Sequence, residues 1–299
     1  MSKQKLSYLF LFLFLLALLC SATGFIYFTG NRYHKEVKLS NEREIKVTLE
    51  SGFGTLAVSR GKPSAIFDAD IDADKNVDFS DCINYSMRER VGFLNINTNE
   101  DLGAKSEQRR HSFHISGLES STWDMHFTDA VPISFDVELG LGKGEFDLTG
   151  LTVKDLTISA GASSFFLKFD QPNKGVIDEL SIESGLSKFK GEKLCNANFN
   201  HFKFQGGVGS YSLDFGGKLD REVDVDIEVG LGSLTVTVPE DIGAKIIYEK
   251  NFIAHIDLDR DFSEQGENTY FSSNFEEANG KINMRIEAGL GSVKIRRER

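Results

Sequence analysis

Residues 227–236, Ile-Glu-Val-Gly-Leu-Gly-Ser-Leu-Thr-Val, alternate like a strand but change phase halfway. Ile227, Val229 and Leu231 take odd positions, and Leu234 and Val236 take even ones. A flat strand sends alternate side chains to opposite faces, so an apolar set cannot change parity and stay on one side. The same change occurs eight times when stretches are aligned on the residue between two small positions: Phe53, Val91, Leu141, Ala162, Leu186, Val208, Leu231 and Leu290. Four residues before these pivots stand Leu49, Met87, Val137, Ile158, Ile182, Phe204, Ile227 and Ile286. Three residues after them stand Leu56, Leu94, Gly144, Phe165, Phe189, Tyr211, Leu234 and Val293. Glycines flank five of the pivots on both sides, as at Gly230 and Gly232. Glycine tolerates positive φ and close backbone approach. The pattern therefore predicts strands bent at the pivot with both apolar arms turned inward, and with Gly230 and Gly232 held at positive φ.

From Leu141 to Leu231 the pivots fall 21, 24, 22 and 23 residues apart. A period in the twenties indicates a β-solenoid, whose coils bury their apolar faces against one another. A sandwich, with strands at intervals of roughly 8 to 12 residues, is the alternative. Three residues before the pivots the regular stretch reads Glu138, Ser159, Glu183, Gln205, Glu228. Stacked in register, the neutral residues would hold successive glutamates ~9.6 Å apart, which relieves like-charge repulsion. This row reads as a solvated face, with a cation-binding ladder as the alternative. Polar segments between Val91 and Leu141 and over residues 243–283 interrupt the regular coils and read as turns with short strands. Alternation dominates everywhere beyond the N-terminus, and no helix is expected there.

The N-terminus differs. Leu6 to Phe28 is an uncharged run of 23 residues, long enough for a membrane-crossing helix. Lys3 and Lys5 precede it, which favours a cytoplasmic N-terminus and an extracytoplasmic remainder. Small residues at Cys20-Ser21-Ala22 leave a cleavable signal peptide as the alternative, although Phe25 to Phe28 continue the run past that point. A lipidated Cys20 is disfavoured by the bulky Leu19 before it. Three regions follow: an anchor with short flanks over residues 1–34, an N-terminal β portion over 35–130, and regular solenoid coils over 131–299 interrupted at 243–283. Cys82 and Cys195 lie outside the anchor; they could pair or remain as buried thiols, and no disulfide framework is present. A net charge of −11 argues against a nucleic-acid partner, which requires a basic face.

The stretches 137–151, 156–167, 204–215, 227–246 and 270–295 resemble the bacterial toast-rack family of exported proteins. They are also similar to the C-terminal domain of cell-wall-active antibiotic response proteins. The order of the motifs carries the resemblance, with Val-Pro after one coil and Asn-Phe-Glu-Glu-Ala before the last. It implies a β-solenoid of stacked short strands, usually tethered at the envelope, with no catalytic residues to carry over. The antibiotic-response relatives point by fold-level analogy to envelope-stress signalling. This chain lacks the several N-terminal membrane helices those relatives often show.

Candidate chemistry is sparse. Gly-Leu-Gly-Lys-Gly-Glu-Phe (140–146) imitates a phosphate loop, but an alternating strand follows where a helix is required. Asp70, Asp72, Asp74, Asn76, Asp78 and Asp81 approximate a calcium loop. Lys75 stands where glycine is required, and the run also reads as a strand with a wet carboxylate face. His111, His114 and His126 match no metal-ligand spacing and read as exposed or turn residues. Phe199, Phe202 and Phe204 read as rings stacked inside the coils, with a surface binding platform as the alternative. No catalytic, cofactor or metal residues are assigned. The sequence predicts an all-β solenoid behind one transmembrane helix, acting as a noncatalytic structural or protein-interaction module of the bacterial envelope. A protein partner and the membrane are its expected contacts. A polysaccharide-binding or polysaccharide-cleaving β-helix and a stress-signalling accessory are the rivals.

Overall fold

The computed structural model describes residues 31–73, 79, 81–98, 121–249 and 254–298. The chain order is β1 (Asn31–Lys38), β2 (Glu44–Arg60), β3 (Ala65–Ala73), β4 (Ile83–Arg88), β5 (Val91–Asn97), β6 (Ser121–Phe127), β7 (Ile133–Asp147), β8 (Val153–Lys168), β9 (Ile177–Glu192), β10 (Phe199–Asp214), β11 (Glu222–Pro239), β12 (Gly243–Glu249), β13 (His255–Leu258), β14 (Phe262–Glu264), β15 (Thr269–Ser272) and β16 (Lys281–Glu298). All belong to one sheet. Among the described residues there is no α-helix, only a 3-10 turn at Leu194–Ala197. No helix among them is long and apolar enough to cross a membrane. The apolar run Leu6–Phe28 lies outside the described residues, and positions 31–34 already belong to β1.

Seven long strands form the stack in the order β2, β7, β8, β9, β10, β11, β16, each parallel to and in register with its neighbour. Their pivots align as Phe53, Leu141, Ala162, Leu186, Val208, Leu231 and Leu290. Each strand bends at its pivot and buries both arms. Ile227 and Val236, of opposite parity, lie in the same core at 2% and 0% exposure. The fold is thus all-β and solenoid-like, and the sandwich alternative fails because consecutive coils pair parallel at one register.

Two sequence expectations need correction. Val91 is not a corner. Glu89 and Arg90, both at positive φ, form a tight turn joining β4 to β5, and Met87 pairs across the hairpin with Gly92 and is exposed. A two-residue reversal resets alternation just as a bend does, so the two look identical in sequence. The second correction concerns Gly230. Gly232 has φ +137°, but Gly230 is not in the positive region. A Cβ on Gly230 would instead stand 2.8 Å from the carbonyl oxygen of Gly207 in the preceding coil.

Both ends of the stack are covered. β5 pairs with the first arm of β2 and β6 with its second arm; β3, β1 and β4 then add antiparallel. At the other end β12 and β13 line the two arms of β16; β15 adds antiparallel to β12, and β14 antiparallel to β15. Such caps occupy edges that would otherwise template pairing with another chain.

Aromatic rings run through the interior. Phe146, Phe165, Phe189 and Phe204 follow one another at centroid distances of 4.9, 5.9 and 5.3 Å. Phe199, Phe202 and Phe204 are buried, so they are core rings and form no surface platform. Cys195 is a buried free thiol, so no Cys82–Cys195 bridge forms. Burial pushes its pKa well up, assisted by the charges of Asp214 and Asp241. The interior also contains polar joints that the sequence pattern did not single out. Asn173 is buried; its Nδ2 donates to the carbonyls of Val153 (2.7 Å) and Ala197 (3.0 Å), and its Oδ1 accepts from the Val153 amide (2.9 Å). One side chain thereby ties three successive windings.

We expect Gly230→Val and Gly232→Val each to cost about 2–4 kcal/mol, from overpacking at the first and overpacking with backbone strain at the second. Ser233→Val, pointing outward at the same corner, should stay within about 0.5 kcal/mol. Equal urea midpoints for the three variants would remove the corner explanation. Asn173→Ala should cost about 2 kcal/mol, because it strands buried backbone groups; an unchanged midpoint would show that water replaces the amide.

Candidate functional site: a glycine-floored trough along the corners

At each corner two consecutive residues face outward, the pivot and the residue before it. The latter is Gly52, Gly140, Gly161, Gly185, Gly207, Gly230 or Gly289. Contact between coils leaves no room for a side chain there. A Cβ on Gly140, Gly161, Gly185 or Gly207 would lie 2.8, 2.5, 3.1 or 2.9 Å from the carbonyl oxygen of the preceding coil's glycine. The missing side chains leave a trough of about 760 Å³ across the strands from β2 to β11. One wall is the row three residues before the pivots: Glu50, Glu138, Ser159, Glu183, Gln205 and Glu228. Register extends this row to Glu287 on β16 and Glu249 on β12.

Beyond the glycines runs the pivot row. Leu141, Leu186, Val208, Leu231 and Leu290 are 42, 65, 42, 43 and 47% exposed. Ala162 is exposed and Phe53 half-buried. Isolated surface leucines need no explanation, but a contiguous row marks an interaction surface. The sequence signalled the pivots as apolar without revealing that the bend turns them out to solvent. No residue lining the trough is aromatic, lysine or arginine.

The acidic wall is partly compensated. Asn97 Nδ2 donates to Glu50 (2.9 Å), and Gln205 Nε2 donates to Glu228 (3.2 Å). Arg285 approaches Glu249 at 3.6 Å. Among the described residues Glu138 and Glu183 make no hydrogen bond or ion pair. In the middle of the wall the spacing is as the sequence suggested, with Ser159 and Gln205 between glutamates. A gap of ~9.6 Å is too wide for one ion to bridge. At the ends the alternation stops: Glu50 neighbours Glu138, and Glu287 sits between Glu228 and Glu249. The Glu287 carboxyl is pushed above its ordinary value, first by burial and then by the charges of Glu249 and Glu228.

Apart from Gly140 in its floor, none of the other sequence candidates among the described residues lines this trough. Gly140 to Phe146 is the β7 corner, with strand on both sides. Asp70 and Asp72 are exposed on β3, alternating with buried Ala69, Ile71 and Ala73; these two carboxylates stand on a strand. Asp74, Asn76 and Asp78 lie outside the described residues, as do His111 and His114. Asp81 is exposed. His126, on β6, shares a 2.8 Å hydrogen bond with Ser59 Oγ. One grouping had no sequence signal. Antiparallel pairing of β1 with β3 brings His34, Glu36 and buried Asp68 within 4.8 Å of one another, a set of groups able to ligate a cation. Lys62 at 3.5 Å from Asp68 and Asp70 at 3.1 Å from His34 close this cluster into an ion-pair network.

The raised pKa of Glu287 has a pH consequence. The folded chain holds this proton to higher pH than the unfolded chain. Its favourable contribution is therefore present below the ordinary value of 4.5 and is lost as pH rises through the raised one. We expect Glu287→Gln to stabilise the fold at pH 7 by under about 1 kcal/mol, with the gain vanishing in acid. Urea midpoints at pH 7 and below pH 4.5 check this, and a variant less stable at pH 7 would contradict it.

A family profile described as the N-terminal domain of toast_rack, DUF2154, matches residues 29–190. Among solved structures, a protein of Clostridium sporogenes ATCC 15579, provisionally named for cell adhesion, is 22% identical. The match covers 90% of this chain and 100% of that one, with a TM-score of 0.43. A provisionally named adhesin of Bacteroides fragilis NCTC 9343 is 13% identical over 89% of this chain and 97% of its own, with a TM-score of 0.35. Neither likeness is close enough to bear on function. No curated protein matches the chain. The profile spans more than half of the sequence and ends inside β9, after four of the seven corners, and the chain belongs to the toast-rack family.

Proposed function

We propose that this protein is a noncatalytic interaction module of the bacterial envelope, binding a protein partner along its corner row. The single observation behind this reading is the contiguous line of exposed apolar pivots from Leu141 to Leu290 along the corners. A row placed by the same bend in seven coils costs solvation at each one, and a partner covering it would recover that cost. The run Leu6–Phe28 would hold the chain in the membrane as a single-pass anchor, with the solenoid outside the cytoplasm. The net charge of −11 sets nucleic acid aside as a partner.

A specific observation also favours a polysaccharide-cleaving reading. Glu228 and Glu287 are register neighbours, ~4.8 Å apart in backbone spacing, and Glu287 has the raised pKa of an acid. Retaining glycosidases place their carboxyls about 5–5.5 Å apart. Against it, Glu228 lines the trough but Glu287 does not, and no aromatic side chain lines the trough for a sugar ring.

A photo-crosslinking residue at position 186 or 231 in intact cells should give discrete protein adducts, whereas one at exposed Lys174 should not. Equal labelling at the three positions, or none, would sink the docking reading. Deleting residues 1–30 should move the chain out of the membrane fraction; unchanged sedimentation would remove the anchor.

A further inference from the structure

We infer that the trough takes an extended, cationic partner segment in a polyproline-II conformation, running along the stacking axis with lysine or arginine at every third residue. This rests on the pivot row being a protein-docking face, and it names what docks there.

Charge selects the sign. One wall carries Glu50, Glu138, Glu183 and Glu228, and no lysine or arginine lines the trough. Glu138 and Glu183, in its middle, make no hydrogen bond or ion pair among the described residues. A second copy of this chain fits poorly, since two such faces would set glutamate against glutamate.

Period selects the conformation. Glu138, Glu183 and Glu228 stand on every second coil, so they recur every ~9.6 Å. Three residues of polyproline II advance ~9.3 Å and return to the same face. Over the two intervals from Glu138 to Glu228 the mismatch is about 0.6 Å. An α-helix returns to one face after seven residues, ~10.5 Å, and slips by about 1.8 Å over the same two intervals. A β-strand repeats at about 6.6–6.8 Å and meets only the outer glutamates.

Backbone chemistry agrees. The strands flanking the trough are already paired to their neighbours on both sides. They offer no free edge for strand addition. Polyproline II needs none, because its backbone groups remain solvated. With cations on the glutamate wall, a second face of the three-sided helix turns to Leu186, Val208 and Leu231. From β2 to β16 the row spans six coil steps, ~29 Å, about nine residues of such a segment.

The test uses the full-length chain and two synthetic twelve-residue peptides of one composition. The first is four repeats of Lys-Pro-Leu; the second places its four lysines at alternate positions in the first eight. Titration by fluorescence anisotropy at low salt should show the first peptide binding several-fold more tightly than the second. Glu138→Gln with Glu183→Gln should weaken it about tenfold, and Leu186→Ser should weaken it further, with unfolding midpoints unchanged in each variant. Binding should also fall as salt rises. Equal affinity for the two peptides, no binding of either, or affinity indifferent to the glutamate pair would each overturn the inference. Adducts from position 186 in cells alongside failed peptide binding would leave the docking reading standing and remove only this partner chemistry. Absence of both would remove the two together.

Discussion

The structure depends on how closely one coil's backbone approaches the next at the corners. The residue before each pivot stacks against the carbonyl of the same residue in the previous coil, at distances that exclude a Cβ. In-register parallel pairing can then continue through a bend. Without that approach the two arms of a coil would pair with different partners, and the apolar sets on the two sides of Leu231 could not share a core. The regular shaft is six repetitions of this contact between seven corners.

The bend has opposite consequences inside and outside. Inside, residues on both arms converge, and three residues past the pivot the positions of Phe165, Phe189 and Tyr211 stack through neighbouring coils. Outside, two neighbouring residues face solvent, one of them without a side chain. The trough is therefore the outer face of the packing rule and not a separately built pocket. The glycines that allow stacking also create a long concavity along the corners, and the apolar pivots beside it are exposed by the same geometry.

Charge is distributed along that concavity with a period of its own. In the middle of the stack neutral residues separate the glutamates; at the two ends carboxylates stand side by side, and the Glu287 carboxyl carries the electrostatic cost. The ends are also where irregular strands cover the stack, so crowding is greatest where the repeat stops. The asparagines at the other turns act oppositely. Asn173 satisfies backbone groups of neighbouring windings, so the stack is held at a second line of turns as well as at the glycine corners.

The sequence by itself determined the coil. A parity change between Ile227 and Val236, repeated every twenty-odd residues beside glycines, specifies bend, core face and stacking, because alternation and close packing are local properties of each strand. The acidic–neutral alternation from Glu138 to Glu228 was legible for the same reason. Tertiary structure alone decided whatever depends on which strand lies next to which. Val91 carries the pattern of a corner but makes a hairpin, since a reversal and a bend leave the same trace in alternation. Gly230 is required by the carbonyl of Gly207, a partner 23 residues away, and not by its own φ. The joining of Glu287 to the end of the row, across a long interruption, and the gathering of His34 with Asp68 are facts of register that no local pattern encodes. The exposure of Leu186 belongs with them: an apolar residue in an alternating strand reads as core until the direction of the bend is known.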